Sequence, residues 1–308
     1  MSIRRTANGR ELQSLCDRYR AEGHTIGFVP TMGALHAGHL SLIDAVRAQG
    51  ATRTVVSIFV NPLQFGPHED LDRYPRTLQQ DLERCEAAGA HIVFEPGRQD
   101  MYPPDFQTNV ELARIGRGWE DDYRPGHLRG VSTVVTKLLS AVGPCIAAFG
   151  RKDYQQCRLV AALVRDLWLP VRLIMCPTLR DSDGLAMSSR NRYLSPQQRK
   201  RATGIYRGML AACRCFARGE RNVASLRLAA RAPICADLDE VQYVELADPE
   251  TLIPLQGRAP DKALLLVAAR IAGTRLIDNV LLGEETLGGP GGCAHQGLAG
   301  TGYRRDRS

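Results

Sequence analysis

Residues 31–39 read Thr31-Met32-Gly33-Ala34-Leu35-His36-Ala37-Gly38-His39 and follow directly on the apolar run 25–30. A buried strand that passes through a glycine-bearing loop into a helix near His39 is the opening unit of an α/β fold. Such a junction turns backbone N–H groups and the positive helix end toward an anion, and glycine lets a phosphate come close to the backbone. The same alternation repeats on either side. Leu12, Leu15, Cys16 and Tyr19 keep i, i+3, i+4, i+7 spacing ahead of Gly23, which marks a helix and its stop. Residues 52–60 are rich in β-branched side chains and read as a second buried strand. Thr77 with Gln80 predicts a capping box for a helix carrying Leu78, Leu82 and Cys85. Further strands are expected at 91–94, 145–149 and 171–175, with helices over 131–142 and 154–168. The pattern predicts an α/β domain with a doubly wound parallel sheet over residues 1–183.

Past residue 183 the pattern changes. Helices are expected over 195–217 and 224–230, followed by strand-like runs at 241–246, 263–270 and 274–282. No long helical pattern separates these runs, so residues 184–283 predict a smaller α+β domain with an antiparallel sheet packed by helices. Residues 284–308 carry seven glycines, Gly288 to Gly302, and almost no large apolar side chain; a disordered tail is expected there.

The 308 residues, 44% hydrophobic and 24% charged, suit a globular chain of one large domain and a smaller one. No apolar run approaches the roughly 20 residues of a membrane-spanning helix. The amino terminus lacks the apolar core of a secretory signal, so a cytoplasmic protein with no membrane partner is expected. Nine cysteines show neither a disulfide framework nor zinc spacing and read as reduced thiols. The net charge of +7 suggests an anionic partner. Its basic residues are dispersed, apart from Arg304, Arg305 and Arg307, rather than gathered in a stripe. A nucleotide or carboxylate substrate is therefore expected and nucleic acid is not.

Three segments carry chemistry. His36 and His39 lie three apart on a first helical turn and can donate hydrogen bonds to phosphate oxygens as charge builds in a transition state. Taken alone, HxxH is also met in surface or capping histidines and in zinc sites, for which no third ligand is evident. Gly150-Arg151-Lys152-Asp153 follows the strand at 145–149, at the end where open α/β sheets bind ligands. Lys152 is placed to meet phosphates, and Asp153 to meet ribose hydroxyls or steer the lysine; an exposed Lys–Asp pair is the plain alternative. Met187-Ser188-Ser189-Arg190-Asn191 sets two hydroxyls and a guanidinium in a loop that can close on a triphosphate, where a solvated loop is the alternative.

HxGH in this position resembles the signature of the nucleotidylyltransferase-like Rossmann superfamily, which includes class I aminoacyl-tRNA synthetases. Other stretches narrow the resemblance. They are Val29-Pro30-Thr31-Met32-Gly33, Asn61-Pro62-Leu63-Gln64-Phe65, Glu69-Asp70-Leu71 with Tyr74-Pro75-Arg76-Thr77, Arg124-Pro125-Gly126-His127-Leu128-Arg129-Gly130-Val131, Asp183-Gly184-Leu185-Ala186 and Thr274-Arg275-Leu276-Ile277-Asp278-Asn279. In that order, over about residues 3–282, they resemble the pantoate–β-alanine ligase (pantothenate synthetase) family.

The resemblance implies a Rossmann-like nucleotide- and pantoate-binding domain, with the C-terminal domain closing over the ATP site. It implies ATP-dependent condensation of (R)-pantoate with β-alanine through a pantoyl adenylate, releasing pyrophosphate and AMP and yielding the coenzyme A precursor pantothenate. His39 falls on the family's catalytic histidine, with His36, Lys152 and Arg190 assisting at the phosphates. ATP contacts fall on Met32, Gly33, Ala34, Leu35, His36, Ala37, Gly38 and His39, on Gly150, Arg151, Lys152 and Asp153, and on Leu179, Met187, Ser188, Ser189 and Arg190. Gln64 and Gln156 match the pantoate glutamines, Gln64 serving β-alanine as well. Phe59, Val134 and Val135 are expected to line the place of the dimethyl group, unless they are simply core. Asp81 is the expected Mg²⁺ ligand through the phosphates, with a solvated helix acid as the alternative. A homodimer is expected. Three departures stand out: Arg151 in place of the usual glutamate, expected to add positive charge beside the phosphates; Leu128 where phenylalanine is common; and a tail beyond residue 283 with no counterpart. The rivals are a nucleotidyltransferase that moves AMP or CMP onto a phosphate-bearing acceptor and a non-catalytic RNA-binding protein.

Overall fold

Six strands, Arg4–Thr6 (β1), Ile26–Thr31 (β2), Arg53–Ile58 (β3), Ile92–Phe94 (β4), Cys145–Gly150 (β5) and Val171–Cys176 (β6), form one sheet in a computed structural model that describes residues 3–115, 118–284 and 287. Every pairing is parallel and the order is β1-β4-β3-β2-β5-β6. Parallel strands are buried on both faces, which is why Ile26–Thr31 reads as a near-continuous apolar run and why Arg53–Ile58 is buried from Thr54 to Ser57. Helices Gly9–Ala21 (α1), Ala37–Ala48 (α2), Leu78–Ala87 (α3), the short Arg98–Met101 (α4) and Glu120–Tyr123 (α5), His127–Val142 (α6) and Tyr154–Asp166 (α7) complete this unit. Leu12, Phe28, Leu139 and Leu159 fill the core on one face of the sheet. Val29, Ile43, Val46 and Val93 fill the core on the other, under α2 and α3.

Gly27 lets α2 settle deeply on the sheet. A Cβ there would lie 2.7 Å from Val46 Cγ2 and 2.8 Å from Ala51 Cβ. The strand order reverses at β2, which has β3 on one side and β5 on the other. Such a reversal opens a crevice beyond the carboxyl ends of the two strands. The segments after Thr31 and Gly150 both empty into it.

The rest of the described chain forms helices Pro196–Ala202 (α8), Gly204–Ala217 (α9) and Val223–Asp237 (α10) and the antiparallel sheet Glu240–Ala247 (β7), Ala263–Ile271 (β8) and Thr274–Leu282 (β9). Met209, Phe216, Leu226, Ile234, Val267 and Val280 make a separate core between the helices and one sheet face. On the other face Tyr243, Leu264, Leu266 and Leu281 cluster with Tyr154 of α7. We propose a domain boundary near residue 183 on the strength of these separate cores.

Local expectations were corrected in three places. The helix expected over 195–217 is interrupted at Thr203, where Gly204 packs so tightly that a Cβ would lie 2.8 Å from Asp237. Thr77 makes no side-chain cap bond; its hydroxyl reaches Asp81 Oδ2 at 3.1 Å instead. Glu284, placed with the tail from sequence, is ordered against Lys262 at 3.2 Å and Arg151 at 3.3 Å, while residues 285–286 and 288–308 lie outside the described residues. Among the described residues no helix is long and apolar enough to cross a membrane.

Candidate functional site

A cavity of about 340 Å³ opens at the carboxyl ends of β2 and β5, with residues of β9 and the segment 185–191 on its opposite wall. It is lined by Met32, His36, Gly38 and His39, by Gly150, Lys152 and Asp153, by Leu179 and Met187 to Arg190, and by both glutamines, Gln64 and Gln156. Phe59, Val134 and Val135 face the same space while belonging to the core, so the two expectations for them coincide.

The loop after β2 is built differently from what its glycine suggested. Gly33 (φ 80) and Ala34 (φ 49) are left-handed, and Ala34 and Leu35 are sealed from solvent. Their amides do not face the cavity: Asp81 accepts Ala34 N–H and Leu35 N–H at 2.8 Å each. The strain of a left-handed alanine, about 1–2 kcal/mol, is offset by two bonds to a carboxylate worth roughly 1.5–3 kcal/mol each. Arg84 also holds the Leu35 carbonyl. Gly33, Ala34, Leu35 and Ala37 therefore do not line the cavity as expected; they shape the segment that does. Asp81, expected as the magnesium ligand, has both oxygens engaged by the loop and 1% of its surface exposed, so in this structure it serves as the loop's anchor.

His36 is the N-cap of α2 and its ring lies 4.0 Å from that of His39, centroid to centroid. His39 Nδ1 accepts the His36 backbone N–H at 3.3 Å, which leaves the proton of the neutral ring on Nε2. Burial, reinforced by neighbouring His36, lowers His39 to about 3. Burial, with the charge of Lys152 added, lowers His36 to about 4. Both rings are neutral near pH 7, so each can donate a hydrogen bond without carrying a charge. His36 Nδ1 is buried and finds no partner among the described residues. Gly38 is needed because the His36 ring lies over it: a Cβ there would sit 2.9 Å from both Cε1 and Nδ1.

On the far side, the 3-10 turn Pro62–Gln64 presents Gln64. Asn61 Nδ2 donates to Gln64 Oε1 at 3.0 Å and to the Gly130 carbonyl at 3.1 Å, and Tyr102 hydroxyl donates to Asn61 Oδ1 at 2.8 Å. The Gln64 carbonyl accepts from His127 Nδ1 at 2.8 Å and from Arg124 Nη2 at 3.2 Å. Burial and the adjacent Arg124 lower His127 to about 4, so it is neutral. Arg124 is also clamped to Glu69 by two bonds of 2.6 Å. The neighbouring Gln155 and Gln156 of α7 both line the cavity. Gln155 is buried and committed to backbone, accepting from Glu120 N–H and donating to the Ile115 and Gly118 carbonyls.

The 3-10 turn Arg151–Asp153, after β5, carries Lys152, whose ammonium lies 3.6 Å from Asp153. Arg151, expected to add positive charge beside the phosphates, is not among the residues lining the cavity, and its side chain pairs with Glu284. Across the crevice, Ser189 Oγ donates to the Ala34 carbonyl at 3.2 Å and Ser188 Oγ accepts Arg190 N–H at 3.3 Å. Gly184 (φ 89) admits the Tyr206 ring, 2.2 Å from where a Cβ would stand.

Sequence reasoning assigned no role to Asn61, Glu120, Arg124, His127, Arg275 or Asn279. Glu120 is a buried hub: Arg275 donates twice at 2.6 Å and Tyr243 hydroxyl once at 2.7 Å. Burial alone would raise its carboxyl, but Arg275 overrides this and holds it at about 2. The motif blocks 124–131 and 274–279 were the available signal for four of these residues; Glu120 sits in no motif.

Residues 4–281 match the family described as pantoate-beta-alanine ligase. The chain is 49% identical over 270 residues to pantothenate synthetase 1 of Bradyrhizobium diazoefficiens, covering 88% of this chain and 94% of that relative. Among solved structures it is similar to pantothenate synthetase from Thermus thermophilus, at a TM-score of 0.85 and 43% identity over 90% of this chain and 99% of that one. It is also similar to a pantoate-beta-alanine ligase from Francisella tularensis complexed with beta-gamma ATP and beta-alanine, at a TM-score of 0.73 and 33% identity over 91% and 97% of the two chains.

Proposed function

Because this chain belongs to the pantoate–β-alanine ligase family, we propose that the crevice at the ends of β2 and β5 activates pantoate with ATP and then passes the acyl group to β-alanine without a covalent enzyme intermediate. The overall activity is that of an ATP-dependent ligase condensing pantoate with β-alanine to pantothenate. In the proposed path the pantoate carboxylate attacks the α-phosphorus, the bond to the β-phosphate oxygen breaks, and pyrophosphate leaves. The β-alanine amine then attacks the adenylate carbonyl, loses a proton, and displaces AMP.

The observation that carries this reading is the pair of neutral imidazoles His36 and His39 on the wall shared with Lys152. Neutral donors aimed at oxygens where charge accumulates stabilise that charge without having been solvated by water themselves. Lys152 adds a point charge, and Ser188, Ser189 and Arg190 gather the triphosphate from the opposite side. Gln64 and Gln156 offer paired amides to the hydroxyls and carboxylate of pantoate, and Phe59, Val134 and Val135 an apolar surface to its methyls. Gln64 serves β-alanine in turn. Mg²⁺ is proposed to arrive with ATP as part of the substrate; Asp81, with both oxygens engaged by the loop, does not fit the task of holding it. The proposals of closure by the C-terminal unit, of a homodimer and of a cytoplasmic setting rest on the family resemblance; sedimentation velocity checks the dimer.

The test follows pyrophosphate, AMP and pantothenate separately. Pyrophosphate is expected with pantoate alone, and AMP with pantothenate only after β-alanine is added. His39→Ala is expected to slow pyrophosphate release about 100-fold or more while the circular dichroism spectrum stays unchanged. A near-normal rate in that variant would remove the histidine from the reaction.

A further inference from the structure

We propose that Asn279, on β9, is a positioning residue for phosphate activation: it holds the Arg151–Asp153 turn so that Lys152 stays aimed into the crevice. The inference rests on the reading that Lys152 meets the phosphates. Asn279 is 4% exposed, and its one amide nitrogen donates to two consecutive carbonyls, Arg151 O at 2.8 Å and Lys152 O at 2.7 Å. Both amide hydrogens are thereby committed to the backbone on either side of the Lys152 α-carbon. Two strong bonds to adjacent peptide units fix the plane and direction of the turn, which one contact could not.

The strand that makes this grip is itself fixed. Asn279 pairs with Leu266 of β8, and its own N–H is held by Asp278 Oδ1 at 2.8 Å. Asp278 takes the Arg180 guanidinium at 2.6 and 3.0 Å, and Arg180 donates to the Gly184 carbonyl at 3.2 Å, at the entry to the segment bearing Ser188 and Arg190. Adjacent residues of one strand thus reach both segments that handle the triphosphate. The Arg151–Glu284 pair, with Glu284 40% exposed, adds a second contact to the same turn, but such exposed pairs contribute little. The buried amide is the controlling contact.

The experiment compares Asn279→Ala, Asn279→Asp, Lys152→Ala and the double variant Asn279→Ala/Lys152→Ala, all in the full chain. Pyrophosphate release in a single turnover and KM for ATP and for pantoate are read out, with thermal melting as the check on folding. Asn279→Ala is expected to lower kcat/KM for ATP about tenfold and to leave pantoate KM within about twofold. Asn279→Asp keeps the shape but turns an acceptor onto two carbonyls, and is expected to be at least as damaging. In the Lys152→Ala background the Asn279→Ala change is expected to cost less than about twofold, because the two act as one unit. An undiminished cost in that background, or full activity in Asn279→Asp, would overturn the proposal. If Asn279→Ala does not fold, Asn279→Ser, which keeps one donor, takes its place in the cycle. If Lys152→Ala itself releases pyrophosphate normally, the underlying reading of Lys152 fails and the inference goes with it.

Discussion

Asp70 and Arg190 meet as a two-pronged pair at the crevice, with Asp70 Oδ2 2.9 Å from Nε and Oδ1 2.8 Å from Nη2. The guanidinium also lies 5.7 Å from the centre of the Tyr74 ring. Burial would raise the Asp70 carboxyl, but the hydrogen bonds and charge of Arg190 pull it below its usual range. Asp70 occupies the Nε edge of the fork and orients the guanidinium, with Nη1 still open to the phosphate proposed to meet it.

Asp70→Asn keeps the size but removes the charge that orients Arg190. KM for ATP is expected to rise about three- to tenfold, and KM for pantoate to change less than twofold. A fall in ATP KM would show instead that Asp70 competes with phosphate for the guanidinium.

Asp81→Asn separates an anchor from a metal ligand. The amide cannot accept from both loop N–H groups with equal strength, and one buried donor left unpaired costs about 1–3 kcal/mol. The variant is expected to melt earlier and to form adenylate more slowly, with an unchanged midpoint for magnesium activation. A magnesium midpoint shifted tenfold or more would restore the carboxylate to the metal.

Three histidines make stability fall on acidification. His36, His39 and His127 are depressed to about 4, 3 and 4 in the folded chain, chiefly by burial, against an ordinary value of 6.5. The unfolded chain therefore binds protons first as pH drops below about 6.5, and stability present above that value is lost down toward pH 4. Each histidine contributes a slope of up to roughly 1.4 kcal/mol per pH unit. Urea midpoints measured from pH 7.5 to 4.5 should fall, and His127→Asn should flatten the curve. Adenylate formation should show no histidine titration between pH 6 and 8.

Gly130→Ala tests the support beneath Gln64. A Cβ at residue 130 would stand 2.2 Å from the Leu63 carbonyl oxygen and 2.7 Å from Gln64 N, so backbone has to move. The expected cost is about 1–3 kcal/mol of stability, with KM for pantoate raised about tenfold and ATP binding little changed. An unaltered pantoate KM would mean that the turn yields without moving the glutamine side chain.

Periodicity and composition located most of the framework because they report burial. The runs at 25–30, 52–60, 145–149 and 171–175 became β2, β3, β5 and β6 with ends shifted by a residue or two. Three-residue β1 was missed because a segment that short carries no period. Motifs brought His36, His39, Lys152, Arg190, Gln64 and Gln156 to one cavity. What they could not report is which way a group points when its partner is remote. Asp81 claims the loop amides 47 and 46 residues away, and Arg151 turns to Glu284 rather than inward. Such contacts follow from how helices sit on the sheet, a property of the whole assembly rather than of any local spacing.

The reversal of strand order at β2 also sets the sequence in which the catalytic crevice is assembled. Gly27 pairs with Ile146, so HxGH emerges from the ribosome long before anything stands opposite it. Lys152 arrives next, the serines and Arg190 after that, and Asn279 last. Contacts between such distant segments are slow to close. The cavity is lined by residues from Pro30 to Asn279, so a nucleotide bound there as proposed would resist unfolding of the whole molecule rather than of a single loop.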